Sequence, residues 1–154
     1  MNPSRTETMP KLIDILLVDD DPADVHLTKK SLQKGKLLNS LHVARDGVDA
    51  MAFLRREGEY ADAVRPDLIL LDLNMPRMDG REVLAELKAD EELNSIPVVI
   101  LTTSEAEEDI LKTYRLQASC YITKPVGLES FREVIQSISN FWLACVKYPP
   151  HTVA

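Results

Sequence analysis

The sequence has little of what marks an exported, disulfide-bonded or membrane-spanning protein. Its 154 residues include only two cysteines, Cys120 and Cys145, so we expect reduced, buried thiols and no disulfide. No apolar run approaches the ~20 residues of a membrane span. The first residues, MNPSRTETMPK, lack the apolar segment of a signal peptide. The sequence therefore predicts a cytoplasmic protein without a membrane segment.

Basic residues are also too few for general binding to nucleic acid. The chain has 18 Lys and Arg against 25 Asp and Glu, a formal net charge of −7. Binding to a phosphate backbone needs a basic face, so we expect no nucleic-acid partner. This charge is still compatible with a bound metal ion or with a basic patch on a protein partner.

Five β-rich apolar runs alternate with helical patterns along the chain. The runs are LIDILLV, SLHVA, DLILLD, IPVVILTTS and SCYIT. Strands that are apolar throughout suit a parallel sheet covered on both faces, and alternation with helices suits a doubly wound α/β fold. We predict one domain over residues 12–148, with a polar tail at 1–11 and a short tail at 149–154.

Polar and charged residues gather where these strands end. In such sheets, ligands bind at the carboxyl ends of the strands. Asp19, Asp20 and Asp21 follow the first strand, and Asp72 ends the third. Thr102 and Thr103 end the fourth strand, and Lys124-Pro125 follows the fifth. Asp21 before Pro22 also suits a helix N-cap followed by a first-turn proline.

The clustered carboxylates predict a cation site. Several carboxylates that lie together in a partly buried site destabilise the folded state unless positive charge compensates them. Lys124 supplies one charge, and oxygen ligands without Cys or His indicate Mg²⁺ or Mn²⁺. Asp72 alone has two interpretations, an ordinary cap at a strand end or a nucleophile. With the metal and Lys124 beside it, Asp72 could attack phosphorus and form an acyl phosphate.

Four motifs in order resemble the receiver domain of two-component response regulators. They are ILLVDDD, DLILLDLNMPRMDG, VVILTTS and YITKP, and the resemblance covers roughly Leu12 to Phe141. It implies a flavodoxin-like five-stranded parallel sheet of order 2-1-3-4-5. It also implies a signalling protein that takes a phosphoryl group from a sensor histidine kinase and catalyses only its own phosphotransfer and slow autodephosphorylation.

The resemblance also implies roles for individual residues. Asp72 matches the phosphoacceptor of the family. The other implied roles are Mg²⁺ binding by Asp19 and Asp20, with Asp20 the more direct ligand, completion of the metal site by the backbone carbonyl of Asn74, phosphate binding by Lys124, switching by Thr102 and Tyr121, and a cis peptide at Lys124-Pro125. Thr103 stands where the family prefers a small residue.

A second resemblance narrows the expected partner. DPADVHL, ARDGVDAMAFL, GEYADAVRPDLILLDLNMP and the ending FWLACVKYP are similar to the small response regulators of cyanobacterial phytochromes. That resemblance implies a bilin-binding phytochrome as the kinase. The alternative is a phosphorelay intermediate for a kinase that is not a phytochrome.

The end of the chain suggests a protein interface. LESFREVIQSISNFWLACVKY keeps helical spacing of apolar residues, and Trp142 directly follows Phe141. Adjacent helical residues point about 100° apart, so both side chains do not easily pack into the same hydrophobic core. We expect an interface that includes Phe141, Trp142 and Val146, with a second copy of the chain as the partner. The alternative is that this segment folds back over its own domain.

Three rival classes fit the sequence less well. A flavin-binding module would place a phosphate in the loop after the first strand, but DDDPAD there would repel an anion. A hydrolase similar to haloacid dehalogenases needs an acid two residues after the nucleophile, where this chain has Asn74. A degenerate receiver that serves only as a scaffold would have lost site residues, and this chain has all of them.

Overall fold

Strands and helices alternate along the chain. The computed structural model describes residues 13–34, 39–75, 77–113, 118, 120–127, 129–131 and 133. The strands are β1 (Ile13–Val18), β2 (Asn39–Ala44), β3 (Leu68–Asp72), β4 (Val98–Thr102) and β5 (Cys120–Thr123). The helices are α1 (Pro22–Lys34), α2 (Gly47–Arg55), α3 (Gly80–Ala89) and α4 (Glu105–Thr113), with a 3-10 turn at Gly58–Tyr60. Residues 129–131 and 133 are also helical.

The five strands form one parallel sheet in the order β2-β1-β3-β4-β5. All residues of β3 and β4 are buried, as expected for central strands that are covered on both faces. The predicted fold class and strand order are therefore confirmed.

Alternate residues of the strands feed two separate cores. On one face, Leu16, Ile69 and Ile100 pack with apolar side chains of α2 and α3. On the other face, Ile15 and Leu70 pack with side chains of α1 and of the segment after β5. Because strand side chains point alternately to opposite faces, continuous apolar runs are required to fill both cores.

Acidic residues cap the starts of α1, α2 and α3. The Asp46 side chain accepts a hydrogen bond from the Asp49 N–H at the start of α2. Asp79 and Glu82 form a reciprocal capping box at the start of α3. The Asp21 carboxylate accepts a hydrogen bond from the Ala23 N–H (2.9 Å), as the sequence predicts. These caps fix where the chain turns from strand to helix.

The strand order reverses between β1 and β3, the place where ligands bind in open α/β sheets. Within the described residues, none of the helices combines the length and apolar composition that crossing a bilayer requires. Cys120 is free and half-buried, so the expectation of a buried thiol is met there only in part. Cys145 lies outside the described residues.

Candidate functional site

Asp72 lies at the carboxyl end of β3, beside the point where the strand order reverses. Its carboxylate is buried, and its Oδ1 atom accepts a hydrogen bond from the Asn74 N–H at 3.1 Å. The turn after β3 therefore fixes one oxygen of the carboxylate, while the other, Oδ2, lies 3.4 Å from the Lys124 ammonium.

Asp19 occupies the equivalent place on β1 and is held in the same way. Val18, the last residue of β1, pairs with Leu71 of β3, so Asp19 and Asp72 follow neighbouring positions. The Oδ1 atom of Asp19 accepts a hydrogen bond from the Asp21 N–H at 3.0 Å. Its Oδ2 atom is buried and has no hydrogen-bond partner among the described residues.

Asp20 completes a group of three carboxylates. One carboxylate oxygen from each of Asp19, Asp20 and Asp72 lies within 4.8 Å of the other two. Asp20 is exposed, whereas the other two are buried. A divalent cation fits this donor set, because hard cations take oxygen ligands and a buried carboxylate oxygen without a hydrogen bond needs compensating charge.

The Lys124 ammonium lies among the carboxylates, where sequence reasoning places it. Its Nζ atom is 3.4 Å from Asp72 Oδ2 and 3.6 Å from Asp19 Oδ2. Its shortest contact, 2.8 Å, is with Oδ2 of Asp24, in the first turn of α1. Three carboxylates thus contact one ammonium, and Asp20 lies beside two of them, so the site keeps an excess of negative charge.

The electrostatics of the site follow from burial opposed by these contacts. Burial raises the pKa of Asp19 to about 6, although the Asp21 N–H and Lys124 lower it. Burial likewise raises the pKa of Asp72, while the Asn74 N–H and Lys124 oppose the rise. For Lys124, burial alone would lower the pKa, but the hydrogen bond to Asp24 and the neighbouring carboxylates raise it. The ammonium is therefore fixed in its charged form.

The predicted switch residues lie beside the cluster on β4 and β5. The Thr102 side chain is fully buried, and its hydroxyl lies 3.4 Å from the Ile122 carbonyl and from the Thr123 hydroxyl. Tyr121 is half-buried and packs against the core. The peptide bond between Lys124 and Pro125 is cis. The hydroxyl of Thr102 is thus directed to β5 in this conformation.

Sequence reasoning missed Asp24 as a member of the site. The sequence places Asp24 in the first turn of a helix, where an acid is ordinarily favoured by the helix dipole. The only available signal was its position four residues after Asp20, on a helix that starts at the same edge of the sheet. The predicted interface residues Phe141, Trp142 and Val146 lie outside the described residues.

Known proteins match the chain over most of its length. Residues 15–136 match the response regulator receiver domain. Response regulator Rcp1 of Synechocystis sp. is 48% identical over 135 residues, which cover 88% of this chain and 92% of Rcp1. The crystal structure of the Mn²⁺-bound form of Rcp1 has a TM-score of 0.68 and covers 89% of this chain and 99% of that one.

Two further solved structures are similar in sequence and fold. The phosphorylated cyanobacterial phytochrome response regulator RcpA is 48% identical, with a TM-score of 0.70 over 90% of this chain and 99% of that one. The bacteriophytochrome response regulator AtBRR is 41% identical, with a TM-score of 0.79 over 86% of this chain and 96% of that one. The matched range 15–136 includes Asp19, Asp20 and Asp72, four of the strands in full and β1 from its third residue.

Proposed function

The chain belongs to the response regulator receiver family, and we propose that it accepts a phosphoryl group from a sensor histidine kinase on Asp72. The observation that carries this proposal is the buried Asp72 carboxylate, which lies within reach of Lys124 and beside the carboxylates of Asp19 and Asp20. A lone buried carboxylate could be structural, but this combination of one ammonium with a cation-binding carboxylate group is suited to phosphoryl transfer.

The proposed reaction is an in-line displacement at phosphorus. An Asp72 oxygen forms the new P–O bond while the bond from phosphorus to the histidine nitrogen of the kinase breaks. That nitrogen keeps the electron pair and takes up a proton. The Lys124 ammonium, 3.4 Å from Asp72 Oδ2, can then bind an oxygen of the new phosphoryl group. Slow loss of the phosphoryl group to water returns the carboxylate, and no other substrate is turned over.

We assign the proposed metal site to Asp19, Asp20, Asp72 and the backbone carbonyl of Asn74. Mg²⁺ is the expected ion, with Mn²⁺ as a substitute, because the donors are all oxygen atoms. When bound, the ion supplies positive charge that offsets the carboxylates and the incoming phosphoryl group. A Mn²⁺-bound structure of Rcp1, which is 48% identical, supports this assignment.

The direct test uses Mg²⁺ with acetyl phosphate, followed by intact mass measurement. The unmodified protein should gain one phosphoryl group, and Asp72→Asn should gain none, because the amide is a poor nucleophile. Asp62→Asn is the control, since Asp62 is exposed and lies outside the carboxylate cluster. Equal phosphorylation of Asp72→Asn and the unmodified protein would exclude Asp72 as the acceptor.

We further propose a phytochrome as the kinase. Support comes from two similar proteins, the cyanobacterial phytochrome response regulator RcpA and the bacteriophytochrome response regulator AtBRR. The alternative donor is a kinase that is not a phytochrome. Phosphotransfer from an autophosphorylated bilin-binding kinase should be at least tenfold faster than from an unrelated histidine kinase, and equal rates would favour the alternative. The ATP that charges such kinases is available in the cytoplasm, where we propose that the protein acts.

The proposed output is a change in the surface near β4 and β5. After phosphorylation, the Thr102 hydroxyl is expected to leave its contacts with β5 and to bond a phosphoryl oxygen, and Tyr121 is expected to move into the vacated space. Phosphorylation of Asp72 thus shifts an existing equilibrium between two conformations of this surface. NMR signals of Tyr121 should shift when beryllofluoride and Mg²⁺ are added, and unchanged signals would contradict this switch.

We also propose that the protein self-associates. The support is in the sequence, where Phe141, Trp142 and Val146 extend an apolar helical pattern that suits an isologous contact. Light scattering on the full chain and on a Trp142→Ala, Val146→Ser variant tests the proposal. The full chain should run as a dimer at tens of micromolar, and the variant as a monomer. A monomeric full chain, with and without phosphate, would exclude self-association.

A further inference from the structure

The shortest contact of the Lys124 ammonium is with a residue that has no place in the proposed reaction. Asp24 Oδ2 lies 2.8 Å from Nζ, whereas the corresponding oxygen of Asp72 lies 3.4 Å away and that of Asp19 lies 3.6 Å away. A charge-assisted N–H···O bond is typically 2.7–2.9 Å long. Asp24 therefore holds the full hydrogen bond, and Asp72 has only a long contact.

The Asp24–Lys124 pair is shielded from solvent, which makes it energetically significant. The Lys124 side chain is 14% exposed and the Asp24 side chain is 25% exposed. Ion pairs at fully exposed sites contribute little, but the interaction strengthens as water is excluded. The ammonium has three N–H donors, so it can contact more than one acceptor, but the negative charge of Asp24 competes with a phosphoryl group on Asp72 for the same positive charge.

Helix capping does not account for Asp24. The cap of α1 is provided by Asp21, whose carboxylate accepts the Ala23 N–H at 2.9 Å and whose carbonyl accepts the Val25 N–H at 3.0 Å. The side chain of Asp24 is directed to Lys124, 100 residues further along the chain. This contact joins the first turn of α1 to the loop after β5, across the carboxyl edge of the sheet.

We propose that Asp24 is a positioning residue that holds Lys124 near α1 in the resting protein and so opposes phosphorylation of Asp72. This inference rests on the proposed function of Asp72 and Lys124. Removing the Asp24 charge frees the ammonium for the phosphoryl group. Asp24 thereby determines how far the Lys124 ammonium lies, in the resting protein, from the position in which it stabilises the acyl phosphate.

The first test observes the ammonium directly and needs no phosphoryl donor. The ¹⁵N signal of the Lys124 ammonium is recorded by NMR with and without beryllofluoride and Mg²⁺. In Asp24→Asn, the signal of the unliganded protein should move towards the position that beryllofluoride produces in the unmodified protein. An unchanged signal would overturn the inference while leaving the proposed role of Asp72 intact.

The second test measures the initial rate of phosphorylation by acetyl phosphate at a limiting concentration. Asp24→Asn should be phosphorylated about fivefold faster, which corresponds to about 1 kcal/mol in the barrier. Asp24→Glu keeps the carboxylate and should stay within about twofold of the unmodified rate. Asp21→Asn is the matched control, because it removes a neighbouring charge while Asn remains a good cap.

The outcomes separate the two proposals. An Asp24→Asn rate equal to that of the unmodified protein, or an equal gain in Asp21→Asn, would overturn the positioning role alone. Failure of the unmodified protein to accept a phosphoryl group would overturn the proposed function and this inference together. A faster Asp24→Asn with an unchanged Asp24→Glu supports Asp24 as the residue that restrains Lys124.

Discussion

At the scale of single residues, the site contains a buried carboxylate that lowers the stability of the folded protein. The Asp19 Oδ2 atom is buried, and it has no hydrogen-bond partner among the described residues. The nearest positive charge, the Lys124 ammonium, is 3.6 Å away and closer to Asp24. Such an arrangement is costly in the folded state, and we interpret it as the cost of keeping ligand atoms ready for a cation.

The pKa of Asp19 predicts how this cost depends on pH. Burial raises the pKa from 3.8 to about 6 in the folded protein, so between these pH values the folded state binds more protons than the unfolded state. The free energy of unfolding therefore falls as pH rises through this interval. Above pH 6 the carboxylate destabilises the fold, by up to about 3 kcal/mol.

Asp19→Asn should consequently be more stable than the unmodified protein at pH 7.5 in EDTA. The gain should shrink as pH falls and should approach zero only well below pH 3.8, where the unmodified carboxyl is neutral in both the folded and the unfolded state. Urea unfolding at several pH values measures the difference, and Asp62→Asn, at an exposed position, controls for a simple loss of charge. A variant less stable than the unmodified protein at pH 7.5 would contradict this account of Asp19.

At the scale of elements, the loop between β3 and α3 is held by contacts that also set the position of Asp72. The Gly80 N–H donates to the Leu73 carbonyl at 3.0 Å. The Gly47 N–H of α2 donates to the Met78 carbonyl at 3.0 Å, and the Arg77 guanidinium bonds the Asp46 carboxylate at 2.7 Å. The loop is thus tied to its own strand and to the start of α2.

Position 80 requires glycine because its backbone lies close to the backbone of Asp72 and Leu73. Gly127 provides a matched control. A Cβ atom at Gly80 would lie 2.5 Å from the Asp72 carbonyl oxygen and 2.6 Å from the Leu73 Cα atom, whereas at Gly127 it would meet nothing within 4 Å. Gly80→Ala should lower the free energy of unfolding by about 1–3 kcal/mol and slow phosphorylation. Gly127→Ala should be neutral or slightly stabilising. Denaturant unfolding and acetyl phosphate labelling measure both effects, and equal behaviour of the two variants would contradict the packing described here.

The sequence predicts the elements better than it predicts the contacts between them. Apolar runs identify β3 and β4 because both faces of each strand are buried, and parallel strands bring Asp19 and Asp72 to one edge by geometry alone. The Asp24–Lys124 pair depends instead on how α1 is rotated against the sheet. The Arg77–Asp46 pair joins residues 31 apart, and no local pattern signals it.

At the scale of the whole molecule, cation binding and folding are linked. An ion that binds only the folded protein stabilises it by mass action, and the carboxylate cluster combines the loop after β1 with the end of β3. Adding Mg²⁺ should therefore raise the midpoint of thermal unfolding of the unmodified protein. The size of the increase should grow with Mg²⁺ concentration.

Asp20→Ala should lose most of this Mg²⁺ response, while Asp21→Asn should keep it. Asp20 is exposed, so its removal should cost little stability in EDTA, and the comparison isolates its role as a ligand. Thermal unfolding monitored by circular dichroism at several Mg²⁺ concentrations provides the measurement. A response of Asp20→Ala equal to that of the unmodified protein would argue against the proposed metal site.

The central claim is that Asp72 carries the phosphoryl group, and the most direct measurement locates that group on the chain. The protein is phosphorylated by an autophosphorylated histidine kinase, the acyl phosphate is reduced with borohydride to homoserine, and the modified peptide is sequenced by mass spectrometry. We predict a single homoserine at position 72 and none in Asp72→Asn. Homoserine at another aspartate, or modification of Asp72→Asn to the same extent, would contradict the account.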